Sequence, residues 1–344
     1  MLEMTNNLMV ADSIEKASSI LPKYERISCS VSGGKDSDIM LDLLWNLDPD
    51  DKITFVWMNT GLEHQATIDH LDFLEEKYGI EIKRLPPVKP IPQAVKEYGQ
   101  PFISKKVSEI IHALQMKGFT FKDASYEELS EKYDHCKNAL MWWTNSYPVP
   151  DGFQTSMKNI HRNKWLKEFM IENPPTFKIS NRCCDYSKKM AVHKMNKEGN
   201  FQLNCTGVRQ AEGGQRAMTY KNCFDHEDGK IHNYRPLFWY TSADETAYDE
   251  AFGTTHSDCY TVWGLTRTGC VGCPYNRKIS DEIEIMRYYE PKKAKAAECI
   301  FHESYEYTRQ YREFAAKMNA KEKQVKGQIS IFDFKELTNG TKRD

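Results

Sequence analysis

A glycine-rich turn, Ser32–Ser37 (SGGKDS), constrains the fold more than any other feature of the sequence. It follows a short alternating apolar segment, Ile27–Val31, and precedes Ile39–Leu47, in which apolar residues recur at helical spacing. Glycines permit backbone angles that turn successive N–H groups inward, and the start of the following helix adds its positive dipole end. A strand, a turn and a helix in this order predict a phosphate-binding site rather than an ordinary glycine turn.

The turn also carries polar side chains that suit an anionic ligand. Lys35 supplies a full positive charge, and Ser37 places a hydroxyl in the first helical turn. The turn matches neither the mononucleotide pattern G-x-x-x-x-G-K-S/T nor the dinucleotide pattern G-x-G-x-x-G. A phosphate-binding turn of another kind is therefore indicated.

Strand and helix patterns alternate through the first part of the chain. Residues 53–58 are almost entirely apolar, as expected of a buried parallel strand, and helical and strand patterns follow at 63–78 and 80–85. Phe201–Cys205 alternates again and predicts a strand that returns to the sheet. This order predicts an α/β fold with a doubly wound, mostly parallel sheet.

Composition divides the remainder of the chain. Residues 104–175, with many Tyr and Trp, interrupt the alternation and are interpreted as a helical insertion in a nucleotide-binding domain that spans residues 1–240. Residues 241–318 are predicted to form a cysteine-containing helical C-terminal region, with helix to about Met318. Residues 319–344 are predicted to be a charged, flexible tail.

Charge and hydropathy exclude several classes of protein. The 344 residues carry 47 basic and 49 acidic side chains, so contact with nucleic acid would need a local basic patch. An aromatic content of 12% excludes disorder of the whole chain. No apolar run approaches about 18–20 residues, and the N-terminus lacks a secretory pattern, so we expect no membrane span and a cytoplasmic location.

The turn resembles the S-G-G-x-D-S signature of the PP-loop ATP pyrophosphatases, which have an adenine nucleotide alpha hydrolase-like, Rossmann-like fold. The resemblance implies that ATP with Mg²⁺ is held by its β- and γ-phosphates while an acceptor oxygen attacks the α-phosphorus and pyrophosphate leaves. Lys35 and Ser37 would hold pyrophosphate and Asp36 would organise the site or its Mg²⁺, which makes these three the implied catalytic residues. The implied nucleotide-binding residues of the turn are Ser32, Gly33, Gly34, Lys35 and Ser37.

Two further segments resemble the phosphoadenosine phosphosulfate (PAPS) reductase family. Met58–Thr67 (MNTGLEHQAT) is similar to V-D-T-G-x-x-x-x-E-T, although Asn59 replaces the family's Asp and the acid is displaced to Glu63. Residues 206–216 (TGVRQAEGGQR) resemble G-x-R-x-x-E-S-x-x-R, and two arginines suit phosphate because guanidinium pairs with it bidentately. The implied nucleotide-binding residues of these segments are Asn59, Thr60, Gly61, Gly207, Arg209 and Arg216.

Four cysteines have the spacing of a metal site, since ten cysteines in a chain without an export pattern indicate ligands, reactive thiols or core residues rather than disulfides. The adjacent pair Cys183 and Cys184, followed after a long gap by Cys270 and Cys273, resembles the ligand set of the iron–sulfur adenylylsulfate reductases, which hold one 4Fe-4S cluster. Four cysteines also suit tetrahedral Zn²⁺. Adjacent side chains diverge, so they fit one zinc ion poorly and the cluster is favoured over zinc. The third interpretation is that the four cysteines are reduced thiols that bind no metal.

Two segments near the end of the chain resemble short functional patterns. Glu298–His302 (ECIFH) is similar to the E-C-G-x-H redox segment of PAPS reductases, but it lies in a helical pattern, so Cys299 is interpreted as a packing residue. Gln328–Phe332 (QISIF) resembles the pentapeptide that docks bacterial replication and repair proteins on the sliding clamp, which implies a clamp partner and proximity to DNA. The alternative for this segment is packing on the body of the protein or an edge strand.

Three functional hypotheses follow from these patterns. The first is an ATP-consuming enzyme of sulfur chemistry, similar to the DNA phosphorothioation sulfurtransferases, in which a sulfur nucleophile displaces AMP from an adenylated acceptor. The second is reduction of adenylylsulfate or PAPS to sulfite, which needs a mobile tail cysteine, and Cys299 is a poor candidate. The third is a non-enzymatic, metal-stabilised adaptor recruited to the clamp, against which the intact Lys35–Ser37 turn argues.

Overall fold

The computed structural model describes residues 1–213, 219–226 and 230–339, with the backbone alone for 325–339. Two compact units account for these residues. The sheet unit comprises Met1–Glu97 and Arg182–Ile300, and the helical unit comprises Tyr98–Asn181 and Phe301–Asp344.

Six strands form one sheet within the described residues, in the order β3-β2-β1-β4-β6-β5. The pairs β1–β2, β1–β4, β2–β3 and β4–β6 are parallel, and β5 runs antiparallel to β6. This arrangement confirms the predicted mostly parallel, doubly wound sheet. The strands are β1 Ile27–Ser30, β2 Ile53–Met58, β3 Ile82–Leu85, β4 Leu203–Thr206, β5 Phe224–Asp225 and β6 His232–Tyr234.

Helices flank the sheet and form the second unit. The α-helices are, in chain order, α1 Leu8–Ile20, α2 Lys35–Trp45, α3 Gln65–Tyr78, α4 Ile91–Tyr98, α5 Lys105–Gln115, α6 Tyr126–Lys132, α7 Lys137–Trp143, α8 Leu166–Glu172, α9 Arg182–Cys184, α10 Met190–Glu198, α11 Ser242–Phe252, α12 Asp258–Thr261, α13 Ile279–Tyr289 and α14 Pro291–Asn339. A π-helical turn, Asp185–Lys189, joins α9 to α10. Short 3₁₀ turns occur at Leu2–Met4, Leu21–Lys23, Ile160–Arg162 and Gln210–Glu212.

The strand order places the predicted nucleotide loops at one edge of the sheet. In the sheet, β2 and β3 lie on one side of β1, and β4 lies next to β1 on its other side. The direction in which successive strands are added therefore reverses between β1 and β4. In open α/β sheets, ligands bind in the crevice beyond the carboxyl ends of the strands at such a reversal. Ser32–Ser37 follows β1 and Gly207 follows β4, so both predicted loops lie at this crevice.

The sheet unit has a core in which the apolar pattern of the sequence is directly visible. Ile27 and Cys29 of β1 are fully buried, as are Ile39, Leu43 and Leu44 of α2. Burial of both faces explains why β2 reads as a nearly continuous apolar run. The start of α2, and with it the glycine-rich turn, is thereby fixed on the sheet.

Aromatic side chains form the core of the helical unit, which contains the predicted insertion at 104–175. Phe102, Trp143 and Phe169 are fully buried, and the Tyr307 ring centre lies 4.8 Å from that of Phe102 and 4.9 Å from that of Phe169. A stretch that looked irregular in sequence is therefore a packed unit with its own core.

The final helix departs from the prediction that helix ends near Met318. It continues to Asn339, with non-helical angles at Phe301 (φ −113°, ψ 16°). Residues 315–324 (AAKMNAKEKQ) consist largely of strong helix formers, which explains the continuation. The predicted clamp-binding segment Gln328–Phe332 has helical backbone, and its side chains lie outside the part that the structure describes. No described helix is both long and apolar enough to cross a membrane.

Candidate active site

The glycine-rich turn has the backbone conformation that the sequence predicted. Gly33 has φ +64°, in the left-handed region that favours glycine. A Cβ at this position would lie 2.7 Å from Thr67 Cγ2, closer than real Cβ contacts allow. Gly34 is the N-cap of α2, and the first N–H groups of a helix have no partner within the helix. The turn thus brings backbone donors and the positive end of α2 to the crevice.

Ser37 organises the turn from inside. Its hydroxyl accepts hydrogen bonds from the backbone N–H of Ser32 at 3.1 Å and of Gly34 at 3.1 Å, and it donates to the Gly34 carbonyl at 2.8 Å. The side chain is buried. In this structure, therefore, Ser37 closes the loop, whereas the family resemblance implied a direct grip on pyrophosphate.

Lys35 lies exposed at the surface of the turn, beside a segment that the sequence did not mark as part of the site. Its Nζ is 5.3 Å from the centre of the Tyr260 ring. The Tyr260 hydroxyl accepts a hydrogen bond from the Thr268 backbone N–H at 3.1 Å and lies 3.0 Å from Thr268 Oγ1. A Cβ added to Gly34 would approach both hydroxyls to 3.1–3.2 Å, so this segment covers the turn closely.

The loop after β4 meets the start of α2. A Cβ on Gly207 would lie 3.2 Å from the Asp36 carbonyl oxygen, which explains a small residue at this position. Arg209 Nε lies 3.1 Å from Asp36 Oδ1, and Arg209 Nη2 lies 3.0 Å from Glu245 Oε1 on α11. The structure thus brings Asp36, Gly207 and Arg209 together as predicted and adds Glu245, which the sequence did not reveal. Arg216 lies outside the described residues.

The loop after β2 completes this edge of the crevice. Asn59 Oδ1 accepts a hydrogen bond from the Gly61 N–H at 3.0 Å, which forms an Asx turn, and Gly61 has φ +77°. The buried Thr60 hydroxyl donates to Glu63 Oε1 at 2.6 Å. Asn59, which replaces the family's Asp, is therefore a turn-forming residue here, and Glu63 supplies the carboxylate.

The four predicted ligand cysteines converge next to this loop. Cys270 Sγ lies 3.6 Å from Thr60 Oγ1, and Cys270 forms an antiparallel bridge with Glu63. A hydrogen bond with Cys184, together with burial and the neighbouring Cys273 and Cys270, raises the pKa of the Cys183 thiol well above its usual value. Burial likewise raises the pKa of Cys270 to about 11 and that of Cys273 to about 12. Thiols from α9 and from the C-x-x-C segment therefore share one environment.

A lysine adjoins the thiols. Lys188, on the π-helical turn, places Nζ 3.7 Å from Glu63 Oε1. Burial alone would lower the pKa of Lys188, but the nearby Cys270 and Glu63 raise it above its usual value. The ammonium group therefore stays charged beside the cysteines, where it can offset the negative charge of a thiolate-ligated group.

The chemistry of these residues fits a sulfur-ligated group, although a closed ligand set is not formed. Four sulfur donors and one adjacent ammonium match what either an iron–sulfur cluster or tetrahedral zinc requires. Within the described part of the chain, no three His, Cys, Asp or Glu side chains are grouped closely enough to hold a metal ion. The four cysteines share one environment, and their role as ligands of a metal or cluster stays a prediction.

A buried polar network that the sequence did not reveal supports the C-x-x-C segment. Glu282 Oε1 accepts a hydrogen bond from the Gly272 N–H at 3.0 Å, between the two cysteines. His64 Nδ1 lies 2.7 Å from Glu290 Oε2, and its Nε2 lies 3.8 Å from Glu282. Burial lowers the pKa of His64, but the two carboxylates outweigh it and bring the pKa to about 8. A charged imidazolium thereby ties α13 to the loop that carries Glu63.

A second histidine lies behind the phosphate-binding turn. His256 Nδ1 is 3.0 Å from Asp38 Oδ2 on α2, and its Nε2 is 3.0 Å from Asp249 Oδ2 on α11. Asp38 is fully buried. Burial lowers the pKa of His256, but hydrogen bonds to Asp249 and Asp38 raise it to about 9 overall. This ion pair fixes α2 to the segment that leads to Tyr260.

Comparison with known protein families gives a match to the first part of the chain. Residues 26–121, which include β1 to β3 and the phosphate-binding turn, match the model of the phosphoadenosine phosphosulfate reductase domain. The resemblance to that family is confirmed for this segment. The matched segment includes the turn and the Asn59–Glu63 loop, while Arg209 and the four cysteines lie beyond it.

Two curated relatives share parts of the chain. An uncharacterized 37.8 kDa protein of Escherichia phage 186 is 26% identical over 277 residues, which cover 78% of this chain and 72% of the relative. An uncharacterized protein of Methanocaldococcus jannaschii is 32% identical over 154 residues, which cover 42% of this chain but 28% of that relative.

The solved structures that are similar to this chain have low sequence identity to it. A phosphate complex of phosphoadenylyl-sulfate reductase from Candida auris is 11% identical, with a TM-score of 0.41 over 75% of this chain and 87% of that chain. An FMN adenylyltransferase from Candida glabrata, in complex with FAD and pyrophosphate, is 12% identical, with a TM-score of 0.39 over 76% of this chain and 63% of that chain. A U34-tRNA thiolase from Methanococcus maripaludis with its 4Fe-4S cluster is 14% identical, with a TM-score of 0.37 over 90% of this chain and 79% of that chain.

Proposed function

We propose that the protein is a PP-loop enzyme that binds ATP with Mg²⁺, cleaves it between the α- and β-phosphates, and uses the adenylated acceptor for sulfur transfer. One observation carries the proposal. Thr268 contacts the phosphate-binding turn through Tyr260, and Cys270, two residues further on, contacts Thr60 of the second nucleotide loop. These contacts support one site in which the proposed phosphate-binding groups lie near the four cysteines.

The chain's own residues divide the work of the first step. The backbone donors of the turn and the exposed Lys35 ammonium would hold the β- and γ-phosphates, because charged donors at a helix start favour phosphate. Asp36 would organise the site or its Mg²⁺. An acceptor oxygen attacks the α-phosphorus, the bond to the β-phosphate oxygen breaks, and pyrophosphate leaves with that electron pair.

The second step forms the carbon–sulfur or phosphorus–sulfur bond on the acceptor. A sulfur nucleophile attacks the activated centre, and AMP leaves with the oxygen that the first step had adenylated. Cys183, Cys184, Cys270 and Cys273 would hold a 4Fe-4S cluster, or Zn²⁺ as the alternative. When bound, such a group holds or relays the sulfur. Lys188 would offset its negative charge and Glu282 would fix the C-x-x-C backbone.

The test is product analysis with anaerobically purified protein. We expect release of pyrophosphate and AMP from ATP when an acceptor and a sulfide source are present, and loss of this release in Lys35→Ala. An iron and zinc assay with the absorption spectrum identifies the metal. Sulfite formation from adenylylsulfate, without pyrophosphate release from ATP, would favour the reductase hypothesis over the sulfur-transfer hypothesis.

Reduction of adenylylsulfate or PAPS to sulfite is the second candidate, and the match of residues 26–121 to the PAPS reductase domain favours it. That reaction needs an accessible cysteine as its nucleophile. The packing interpretation of Cys299 is wrong, because this residue is exposed on α14. Its position on a helix still argues against a mobile nucleophile. Replacing Cys299 by Ser should abolish activity under the reductase hypothesis and leave sulfur transfer intact.

The remaining partners rest on sequence alone. The Gln328–Phe332 segment supports a sliding-clamp partner, and through it a DNA acceptor or a non-enzymatic adaptor role. A clamp titration with the full-length protein and with a Gln328→Ala, Phe332→Ala double variant tests the clamp contact. Equal binding of the two proteins would remove the argument for DNA proximity.

A further inference from the structure

Two hydroxyls from outside the matched family segment lie directly over the phosphate-binding turn. A Cβ built on Gly34 would lie 3.1 Å from the Tyr260 hydroxyl oxygen and 3.2 Å from Thr268 Oγ1. The Lys35 ammonium lies 5.3 Å from the centre of the Tyr260 ring. The family match ends at residue 121, so α12 and the loop after it bring these hydroxyls to the turn from a part of the chain that the match does not assign.

Packing holds the ring of Tyr260 in place. The ring lies against a buried apolar cluster formed by Ala66, Cys259 and Leu265. The Leu265 N–H donates a hydrogen bond to the Cys259 carbonyl at 2.8 Å, which closes the loop that follows α12. The apolar part of Tyr260 therefore belongs to the packing of the sheet unit, and a change that removes only the hydroxyl should leave this packing intact.

The hydroxyls of Tyr260 and Thr268 supply one more donor than the protein uses. The Tyr260 oxygen accepts a hydrogen bond from the Thr268 backbone N–H at 3.1 Å and lies 3.0 Å from Thr268 Oγ1. The two hydroxyls hold two protons, and one of these forms the bond between them. Among the residues that the structure describes, the other proton has no acceptor. One O–H donor is therefore available for a ligand beside Lys35.

Thr268 is placed to direct this donor. When Thr268 donates both its N–H and its hydroxyl proton to the Tyr260 oxygen, the proton of Tyr260 is left for a ligand. We propose that Tyr260 is a phosphate-binding residue that donates its hydroxyl proton to an outer phosphate of ATP, and that Thr268 is a positioning residue that orients this hydroxyl. The inference rests on the proposed function, since it assumes that the turn binds these phosphates.

The test is calorimetric titration of pyrophosphate and of ATP with Mg²⁺, with AMP measured as a competitor of ATP. Tyr260→Phe keeps the ring and removes the donor, so it should weaken the binding of pyrophosphate and ATP by the same factor, about three- to tenfold. AMP has no outer phosphate, so its affinity should change by less than about twofold. Tyr288→Phe alters a tyrosine on α13 that is 80% exposed, and this matched control should bind all three ligands as the wild type does.

A double-mutant cycle tests the role of Thr268. Thr268→Val keeps the backbone N–H and removes one orienting bond, so it should weaken the binding of pyrophosphate by less than about threefold. Because Thr268 acts through Tyr260, the double variant should bind pyrophosphate as Tyr260→Phe does.

Four results overturn the inference alone. Folded Tyr260→Phe binds pyrophosphate as well as the wild type, or it loses affinity for AMP by the same factor as for pyrophosphate. The double variant binds pyrophosphate clearly more weakly than Tyr260→Phe. Thr268→Val by itself loses more than about tenfold, which decides the matter even when Tyr260→Phe does not fold. Wild-type protein that binds neither pyrophosphate nor ATP overturns the proposed function and this inference with it.

Discussion

Replacing Gly33 by Ala perturbs the phosphate-binding turn in a way that the structure quantifies. The new Cβ would meet Thr67 Cγ2 at 2.7 Å, and it would also sit on a residue with φ +64°. A left-handed conformation costs an L-residue about 1–2 kcal/mol, and a forced contact in a packed region adds about 1–3 kcal/mol. The expected loss in the free energy of unfolding is therefore about 2–5 kcal/mol, with loss of ATP binding as the turn shifts.

A matched control separates the two contributions. Gly79, at the end of α3, has φ +65°, but a Cβ there would meet nothing within 4 Å. Gly79→Ala should therefore cost only the conformational part, about 1–2 kcal/mol, and leave ATP binding unchanged. Thr67→Ser removes the clashing methyl group, so in a double-mutant cycle it should recover part of the stability lost in Gly33→Ala.

The assay is chemical denaturation followed by circular dichroism, with ATP binding measured in parallel. Equal destabilisation by Gly33→Ala and Gly79→Ala, with no coupling between Gly33→Ala and Thr67→Ser, would refute the argument that close packing against Thr67 shapes the turn.

Three further predictions concern the surroundings of the turn. Tyr260→Phe removes the hydroxyl that bonds to Thr268 and should lower ATP affinity by about three- to tenfold, as the loss of a hydrogen bond of roughly 1 kcal/mol implies, with calorimetry as the measurement. The ion pairs of His256 raise its pKa from 6.5 to about 9, so its contribution, at most about 3 kcal/mol, is fully present below pH 6.5 and is lost as the pH rises through 9. Unfolding free energies from pH 6 to pH 10 should show this loss in the wild type and a flatter profile in His256→Gln. Gly207→Ala brings a Cβ to 3.2 Å from the Asp36 carbonyl oxygen and should weaken ATP binding with little change in the fold, and unchanged binding would count against the close approach of the two loops.

Local patterns were sufficient to predict the part of the site that follows β1. The strand, the glycine pair and the helix are contiguous in sequence, and the left-handed angle at Gly33 is a property that the residue type itself reveals. The apolar run of β2 likewise predicts a buried parallel strand, because both faces of such a strand are covered. The matched domain at residues 26–121 falls on this same part of the chain.

The rest of the site depends on contacts between distant segments, which no local pattern reveals. Glu245 reaches Arg209 and Tyr260 reaches Lys35 only because α11 and α12 return to the start of α2. Their sequence surroundings look like those of ordinary surface helices. Glu282 is similar, since its role beneath the C-x-x-C segment appears only when Gly272 is seen to donate to it.

Two expectations, on the packing of Cys299 and on the end of the last helix, were wrong. A sequence pattern shows neither the exposure of a single side chain nor the exact length of a helix. Cys299 has apolar neighbours, which suggested packing, but its own position on α14 faces solvent. The helix was expected to end near Met318, whereas it continues to Asn339, and the Lys and Glu residues that follow Met318 are good helix formers. The prediction that the four cysteines hold one group stays a prediction, although Cys184, Cys270 and Cys273 all lie near enough to Cys183 to raise the pKa of its thiol.

Binding of inorganic pyrophosphate tests the central claim most directly, because it isolates the two outer phosphates from the rest of the nucleotide. We expect that pyrophosphate binds in calorimetric titration, that ATP competes with it, and that Lys35→Ala weakens the binding of both by at least about tenfold, as the loss of a charged hydrogen bond implies. Pyrophosphate that fails to compete with ATP, or that binds Lys35→Ala as well as the wild type, would contradict the assignment of the Ser32–Ser37 turn as the phosphate site.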